Sequence, residues 1–401
     1  MSEWKEYKLG DLIDVKHGFA FKGIFITDEV NKNILVTPGN FHIGGGFKKS
    51  KFKYYNSDDF PNEYILDEGD IVVTMTDLSK ESDTLGFSAK IPNLNGVKYL
   101  HNQRIGLVQF KTEIANKDFL YWLMRTRDYQ SFIVGGASGT SIMHTSPSRI
   151  KEYEFSLPPL PEQKSIASIL SSLDDKIDLL HRQNATLEKM AETLFRQWFV
   201  EEAKEEWEEV ELEKLIDVVI DNRGKTPPTV DFPTDYPLIE VNALNSNSCL
   251  VDYSVIRKYV NKETYDNWFR KHLKVNDIII STVGTIGVFS IHLVDKGCIA
   301  QNLVGLRSNS ISSYFIYNFF KTNVETLINL DIGGVQPSIK VPHLLGLIIK
   351  YPPYELLRKY DESVEIYFNK IAKNQTQIRT LTALRDTLLP KLMSGEVTIK
   401  E

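Results

Sequence analysis

The sequence predicts two α/β blocks of α+β character joined by two long helices that form an antiparallel coiled coil, the whole arranged as a pseudo-two-fold internal repeat. Three observations predict it. The second half of the chain echoes the first at a separation of about 200 residues, the mark of a duplicated unit. In each half, β-rich runs separated by glycine and asparagine turns precede helical stretches. Each half then closes on a Pro-Pro pair followed by apolar residues spaced alternately four and three apart, the pattern of a coiled-coil seam.

The repeat begins at the amino terminus. Trp4, Leu9, Leu12, Ile13, Asp14 and Val15 match Trp207, Leu212, Leu215, Ile216, Asp217 and Val218. Asp70-Ile71 opens a β-rich run that matches Asp277-Ile278, and Asn102 to Leu107 matches Gln301 to Leu306. Phe119-Leu120-Tyr121 then matches Phe315-Ile316-Tyr317, Gly135-Gly136 matches Gly333-Gly334, and Pro158-Pro159 matches Pro352-Pro353. The order holds while the offset drifts, as a diverged duplication requires.

The elements follow in chain order. Residues 1–155 form the first block: a short opening helix, β-rich runs such as Asp70 to Thr74, and a helical stretch from Phe119 to Phe132. Residues 156–204 form the central long helix. Residues 205–350 form the second block, with the run Asp277 to Ser281 and a helical stretch from Tyr314 to Leu327, and residues 351–401 form the distal long helix. Prolines sit just ahead of both long helices, where a missing N–H costs nothing.

The first seam is Ile166, Leu170, Leu173, Ile177, Leu180, Asn184, Leu187, Ala191, Leu194 and Trp198. Its counterpart is Tyr360, Val364, Tyr367, Ile371, Asn374, Ile378, Leu381, Arg385, Leu388 and Leu392, with Pro390 expected to end or kink the helix before Leu392. A helix of about 35 residues runs about 50 Å and needs a partner. Antiparallel pairing places one block at each end of a rod, with Asn184 facing Asn374, Ala191 facing Tyr367 and Trp198 facing Tyr360. Two facing amides penalise register slips; two asparagines exposed to solvent are the plain alternative.

Composition sets bounds on function. The chain has 401 residues, 42% hydrophobic and 25% charged, as in a folded two-domain protein. No apolar stretch approaches the roughly 20 residues that cross a bilayer, and the start Met1-Ser2-Glu3-Trp4 lacks the features of a signal peptide, so a cytoplasmic location is expected. Two cysteines, Cys249 and Cys298, supply neither a disulfide framework nor a zinc site. The net charge of −6 is concentrated in one place: residues 156–210 carry 12 acidic against 6 basic side chains. The blocks are near neutral and free to carry a locally basic face, because phosphate binding answers to local field rather than total charge.

Catalytic motifs are missing. Gly224-Lys225-Thr226 mimics the end of a phosphate-binding loop, but the first required glycine falls on Val219. Neither His-Glu-x-x-His nor a Cys/His cluster occurs, and no Asn-Pro-Pro-aromatic motif of amino-methyltransferases is present. Glu202-Ala203-Lys204 echoes a nuclease fragment by chance, within an acidic linker.

Several stretches carry a family resemblance. They are the Trp-led start with Lys8 to Val15, the run Leu157-Pro158-Pro159-Leu160-Pro161-Glu162-Gln163, the helix end Leu194 to Phe199, the stretch Asp221 to Pro228, and the tail Leu388 to Val397. Together with the duplicated plan, they resemble the specificity subunits of Type I restriction–modification systems. One departure is Pro352-Pro353-Tyr354-Glu355-Leu356, which lacks the Leu-Pro-Glu-Gln form of the first helix start.

The resemblance implies two target recognition domains, each reading one half of a bipartite, asymmetric double-stranded DNA site. It implies that the helices act as spacer and as docking surface for two modification (methyltransferase) subunits, joined by restriction (translocase/nuclease) subunits. It further implies that this chain binds no cofactor, while the complex uses S-adenosylmethionine, ATP and Mg²⁺ through its partners. A coiled-coil scaffold without DNA recognition is the alternative, and a self-contained nuclease or methyltransferase is disfavoured by the missing motifs.

DNA-contact candidates are basic residues interleaved with aromatics. Lys48, Lys49, Lys51 and Lys53 alternate with Phe47, Phe52, Tyr54 and Tyr55 after Gly44-Gly45-Gly46. They suit phosphate contact and groove insertion, or equally a solvated hairpin with a lysine-protected edge. In the second block the candidates are Arg257 and Lys258, Arg270 and Lys271 with His272 and Lys274, and Arg223 with Lys225, which a turn at Pro227-Pro228 explains as well. The loops 135–140 and 333–336 are glycine-rich enough for close approach to a duplex, or are plain turns. Arg104, Arg125, Arg127 and Gln336 are base-reading donor types that one sequence does not rank.

Overall fold

The computed structural model describes all residues except 1–3, 78–81, 94–95, 140–141, 223, 225, 245–247 and 400–401. The chain divides into two compact units: Met1–Lys176 with Leu381–Glu401, and Ile177–Thr380. Each unit therefore contains one block and one stretch of paired long helices.

In the first unit, the opening strand Lys5–Lys8 pairs antiparallel with the closing strand Glu154–Leu157, tying the two ends of the block together. A four-stranded antiparallel sheet follows in the order Ile13–His17, Ile105–Phe110, Ile71–Thr74, Ser88–Lys90. Its apolar face (Val15, Val73, Val108) packs against Phe119, Leu120, Leu123 and Ile133. A second sheet of five short strands, ordered Ile26–Thr27, Lys53–Tyr55, Asn33–Val36, Lys98–His101, Ile65–Leu66, is covered on both faces by separate apolar clusters.

The second unit repeats the plan. Glu208–Glu211 pairs antiparallel with Ile348–Tyr351. The four-stranded sheet runs Val218–Asp221, Leu303–Arg307, Ile278–Ser281, Phe289–Ile291, the same order as in the first unit. Beside it, the five-stranded sheet is reduced among the described residues to the parallel pair Leu238–Ile239 and Cys298–Ile299. The acidic stretch that reads as a linker is thus partly a strand, with Val210 buried between exposed glutamates.

Both predicted helical stretches are broken. The first divides into Lys117–Leu123 and Arg127–Gly135, because Thr126 caps the second helix, its hydroxyl accepting from Tyr129 N at 3.3 Å. The second divides at Asn323 into Ser313–Thr322 and Val324–Asn329.

The long helices span Leu160–Arg196 and Tyr354–Met393, 37 and 40 residues. No helix among the described residues is long and apolar enough to cross a membrane. Every residue of the two seams is buried or half-buried. In the first unit these are Ile166, Leu170 and Leu173 with Leu381, Arg385, Leu388 and Leu392. In the second they are Ile177, Leu180, Asn184, Leu187, Ala191, Leu194 and Trp198 with Tyr360, Val364, Tyr367, Ile371, Asn374 and Ile378. Within the second unit the pairing is antiparallel: Asn374 Nδ2 donates to Asn184 Oδ1 at 2.8 Å, and Trp198 lies 6.3 Å from Tyr360, ring to ring.

Of the two expectations for Pro390, ending or kinking the helix, the first is corrected: the helix continues through Pro390 to Met393. The lost N–H bond falls in the last turn, while Leu389, Leu392 and Met393 gain burial in the core of the first unit.

Candidate nucleic-acid interface

At one end of each four-stranded sheet, three chain segments converge with the same backbone pattern. In the first unit Met75 donates its N–H to Arg104 O at 2.9 Å and accepts from Thr145 N at 3.0 Å. Thr76–Asp77 then pairs with Met143–His144, Thr76 opposite His144. In the second unit Thr282 donates to Asn302 O at 2.9 Å and accepts from Ile339 N at 2.8 Å, and Val283 bridges Ser338. Ser138 N donates to His144 O, and Ile332 N donates to Ser338 O, both at 3.0 Å. Positions 138, 139, 142, 144 and 145 thus correspond to 332, 333, 336, 338 and 339.

The turns themselves coincide. A Cβ on Gly139 would lie 2.0 Å from Ile142 O, and one on Gly333 would lie 1.9 Å from Gln336 O, so only glycine closes either turn. This overturns the pairing of Gly135-Gly136 with Gly333-Gly334. Gly135 ends the helix Arg127–Gly135, and Gly139 is the true counterpart of Gly333.

In the second unit the turn is stapled. Asp331 Oδ1 accepts from Ser338 N and Gly333 N, each at 2.8 Å, and these two bonds hold its carboxyl below the usual carboxylate range. The turn lifts Val335 and Gln336 into solvent, Val335 fully exposed. Gln336 Nε2 lies 3.4 Å from where a Cβ on Gly284 would stand, so glycine there leaves room for the amide. In the first unit the equivalent position is Ile142, also exposed, with His144 Nδ1 3.1 Å from Thr76 Oγ1. The adjoining turn exposes Gln103 and Arg104 in the first unit and Gln301 in the second.

His101, close by, adds no charge. Burial pushes His101 down to about 4, and its Nε2–H donates to Ile105 O at 2.8 Å, so it is neutral at physiological pH. Among the described residues no group of three or more His, Cys, Asp or Glu is placed to hold a metal ion.

The basic candidates meet different fates. Tyr55 is 2% exposed and packs edge-on against Phe21 at 4.9 Å and Phe25 at 5.7 Å, so it belongs to the core and not to a DNA face. The cause is that both faces of its sheet are covered: Tyr54 packs toward one cluster and Tyr55 toward the other. Their strand is interior to the sheet, so a lysine-guarded edge does not describe it either.

Lys53 pairs with Asp28 at 2.6 Å and Lys258 with Glu240 at 2.9 Å, both at the surface. Lys48 is half-buried, and Lys49 and Lys51 are exposed. Arg257 donates to Ser254 O and Lys271 to Val219 O, each at 2.9 Å, while Arg270 and Lys274 are exposed. Arg223 and Lys225 lie outside the described residues.

Arg125 has a structural role. It is 5% exposed, donates to Gly44 O, to Tyr121 OH at 2.7 Å and to Asp174 at 2.9 Å, and stacks over Trp122. The triglycine turn exists to seat it: a Cβ on Gly45 would lie 2.7 Å from Arg125 Cγ. Asp174 on the central helix also pairs with Arg385 on the distal one. Burial alone would raise the Asp174 carboxyl, but the two guanidinium groups outweigh it and hold it below the usual range.

The corresponding junction in the second unit uses rings. Tyr121 and Asp174 of the first unit correspond there to Tyr317 and Phe368, whose rings lie 6.1 Å apart, with Tyr314 stacked on Phe368 at 4.4 Å. Two half-buried carboxylates lie between the helices and this block: Glu188 accepts from Cys249 N at 3.0 Å and Asp361 accepts from Ser312 Oγ, and burial pushes both carboxyls up.

The fold and site define a class: a duplicated scaffold presenting two equivalent, divergent loop clusters on helically held blocks. The chain belongs to the Type I restriction modification DNA specificity domain family, whose model matches it twice, over residues 1–189 and 204–383. It is 26% identical over 308 residues to the Type I restriction enzyme MjaIX specificity subunit of Methanocaldococcus jannaschii, covering 71% of this chain and 70% of that one. It is 26% identical to the EcoBI specificity subunit of Escherichia coli, over 98% of this chain and 86% of that one. The fold is similar to the crystal structure of a Type-I restriction-modification system S subunit from M. genitalium, with a TM-score of 0.59 at 18% identity over 98% and 96% of the two chains.

Proposed function

We infer that this chain is the sequence-specific DNA-binding specificity subunit of a Type I restriction–modification complex, each block reading one half of a bipartite, asymmetric site. The observation that carries this reading is the repeated loop cluster. One backbone, built twice, presents Gln103, Arg104 and Ile142 in one unit and Gln301, Val335 and Gln336 in the other. Fixed geometry with unlike side chains is what reading two unlike half-sites demands, since base edges are distinguished by donor and acceptor pattern.

In this reading the paired helices set the half-site spacing and dock two modification subunits, with restriction subunits joining the assembly in the cytoplasm. The chain itself is non-catalytic, and S-adenosylmethionine, ATP and Mg²⁺ are used by the partners. The test is footprinting and affinity on duplex DNA with the chain co-purified with its methyltransferase subunit, at several salt concentrations. Two protected patches are expected, with log affinity falling against log salt by about 0.9 per phosphate contacted. Salt-independent, featureless binding would leave a coiled-coil scaffold without DNA recognition.

A further inference from the structure

We propose that Gln336 reads an adenine in the half-site bound by the second block, and that the equivalent position in the first block, Ile142, makes an apolar contact instead. The inference rests on the DNA-reading function and specifies the chemistry of one position within it. Three observations carry it.

First, the turn 331–338 is preorganised at a cost a plain connection would not bear. Asp331 spends one carboxylate oxygen on two backbone N–H groups, and Gly333 is required because any Cβ would collide with Gln336 O. Second, what the turn holds up is a fully exposed valine next to an exposed primary amide, with no hydrogen-bond partner for that amide among the described residues. An amide with a donor and an acceptor in one plane matches adenine N7 and N6 as a bidentate pair, and an adjoining methyl-bearing side chain matches a thymine methyl. Third, the first unit repeats the glycine contact at Gly139 and the bond from Ser138 N to His144 O, and places isoleucine where the second has glutamine. These contacts are kept and the hydrogen-bonding function is exchanged, so the position varies as a reader varies.

Arg104 belongs to the neighbouring segment, where the hydrogen bonds make Asn302 its counterpart, one position from the letter match Leu303, and is a separate contact. The assignment to Gln336 is independent of it.

The experiment uses the chain co-purified with its methyltransferase subunit and a pool of random duplex DNA, comparing wild type with Gln336→Ala, Gln336→Glu and Ile142→Gln. Wild type should enrich two short fixed elements. Gln336→Ala should relax one adenine in one element by about 5- to 100-fold in discrimination and leave the other element and the gap unchanged. Gln336→Glu, an acceptor only, should move the preference at that position toward cytosine, and Ile142→Gln should install adenine in the other element. Unchanged sequences from Gln336→Ala and Gln336→Glu, with wild type still enriching two elements, would overturn the proposal and leave the DNA-reading function standing. Absence of any enriched element with wild type would overturn both.

Discussion

In the first unit the helix pair meets its block through ions: Arg125 from the block, Asp174 from the central helix and Arg385 from the distal one form a chain of charges over Trp122. In the second unit the equivalent positions carry rings, Tyr317 beside Phe368 with Tyr314 stacked on it, and Glu188 and Asp361 are half-buried acids nearby. The loop clusters behave in the opposite way, keeping the backbone bonds that join their three segments at the described residues while changing the side chains that face solvent. A buried junction only has to be filled and satisfied, and either ions or rings do that. A reading surface has to be positioned, so its backbone is what the duplication retains.

The largest effect that would break this comparison is at the ionic junction. Arg125→Ala strips a buried carboxylate of one partner and should cost the first unit about 3–5 kcal/mol in denaturant unfolding. Phe368→Ala should cost the second unit a similar amount, about 3–5 kcal/mol, through the cavity it leaves, but without salt or pH dependence. A pH-sensitive Phe368→Ala, or an Arg125→Ala loss below about 1 kcal/mol, would contradict the division into ions and rings.

Acid should separate the units by sign. The Asp174 carboxyl is held below its ordinary value when folded, so its contribution is present above the ordinary carboxylate range and is lost as pH falls through the depressed value. The Glu188 carboxyl is raised when folded, so its contribution is present at low pH and is lost as pH rises through the raised value. Unfolding followed from about pH 7 downward should therefore show the first unit weakening, with an opposing contribution in the second from Glu188 and Asp361 that Glu188→Gln reduces.

Smaller again is Asn374→Ala, which deprives buried Asn184 Oδ1 of its donor and should cost about 1–3 kcal/mol. Smallest is Lys53→Ala, which breaks only an exposed ion pair and should cost less than about 1 kcal/mol.

Much of the architecture is legible in the sequence because its signals are periodic. The seam positions stand out at spacings of four and three, and the paired amides Asn184 and Asn374 follow from matching small residues to large ones across it. The sheets are legible only as β-rich runs, since strand order depends on partners far apart in the chain. Tyr55 looks like a groove-facing aromatic among lysines, and nothing local indicates that both faces of its sheet are covered. Arg125 looks like a base reader, and its true partners, Gly44 and Asp174, lie 81 and 49 residues away. The equivalence of Gly139 with Gly333 is hidden because a neighbouring Gly-Gly pair gives a better match in letters. Only the hydrogen-bond pattern around the turn distinguishes them.

The central claim, that two equivalent clusters read two different half-sites at a fixed separation, is tested most directly by selection from random duplex DNA with the chain co-purified with its methyltransferase subunit. The account predicts two short, dissimilar elements separated by a gap of constant length. Enrichment of a single element, of two elements at variable spacing, or of none would contradict it.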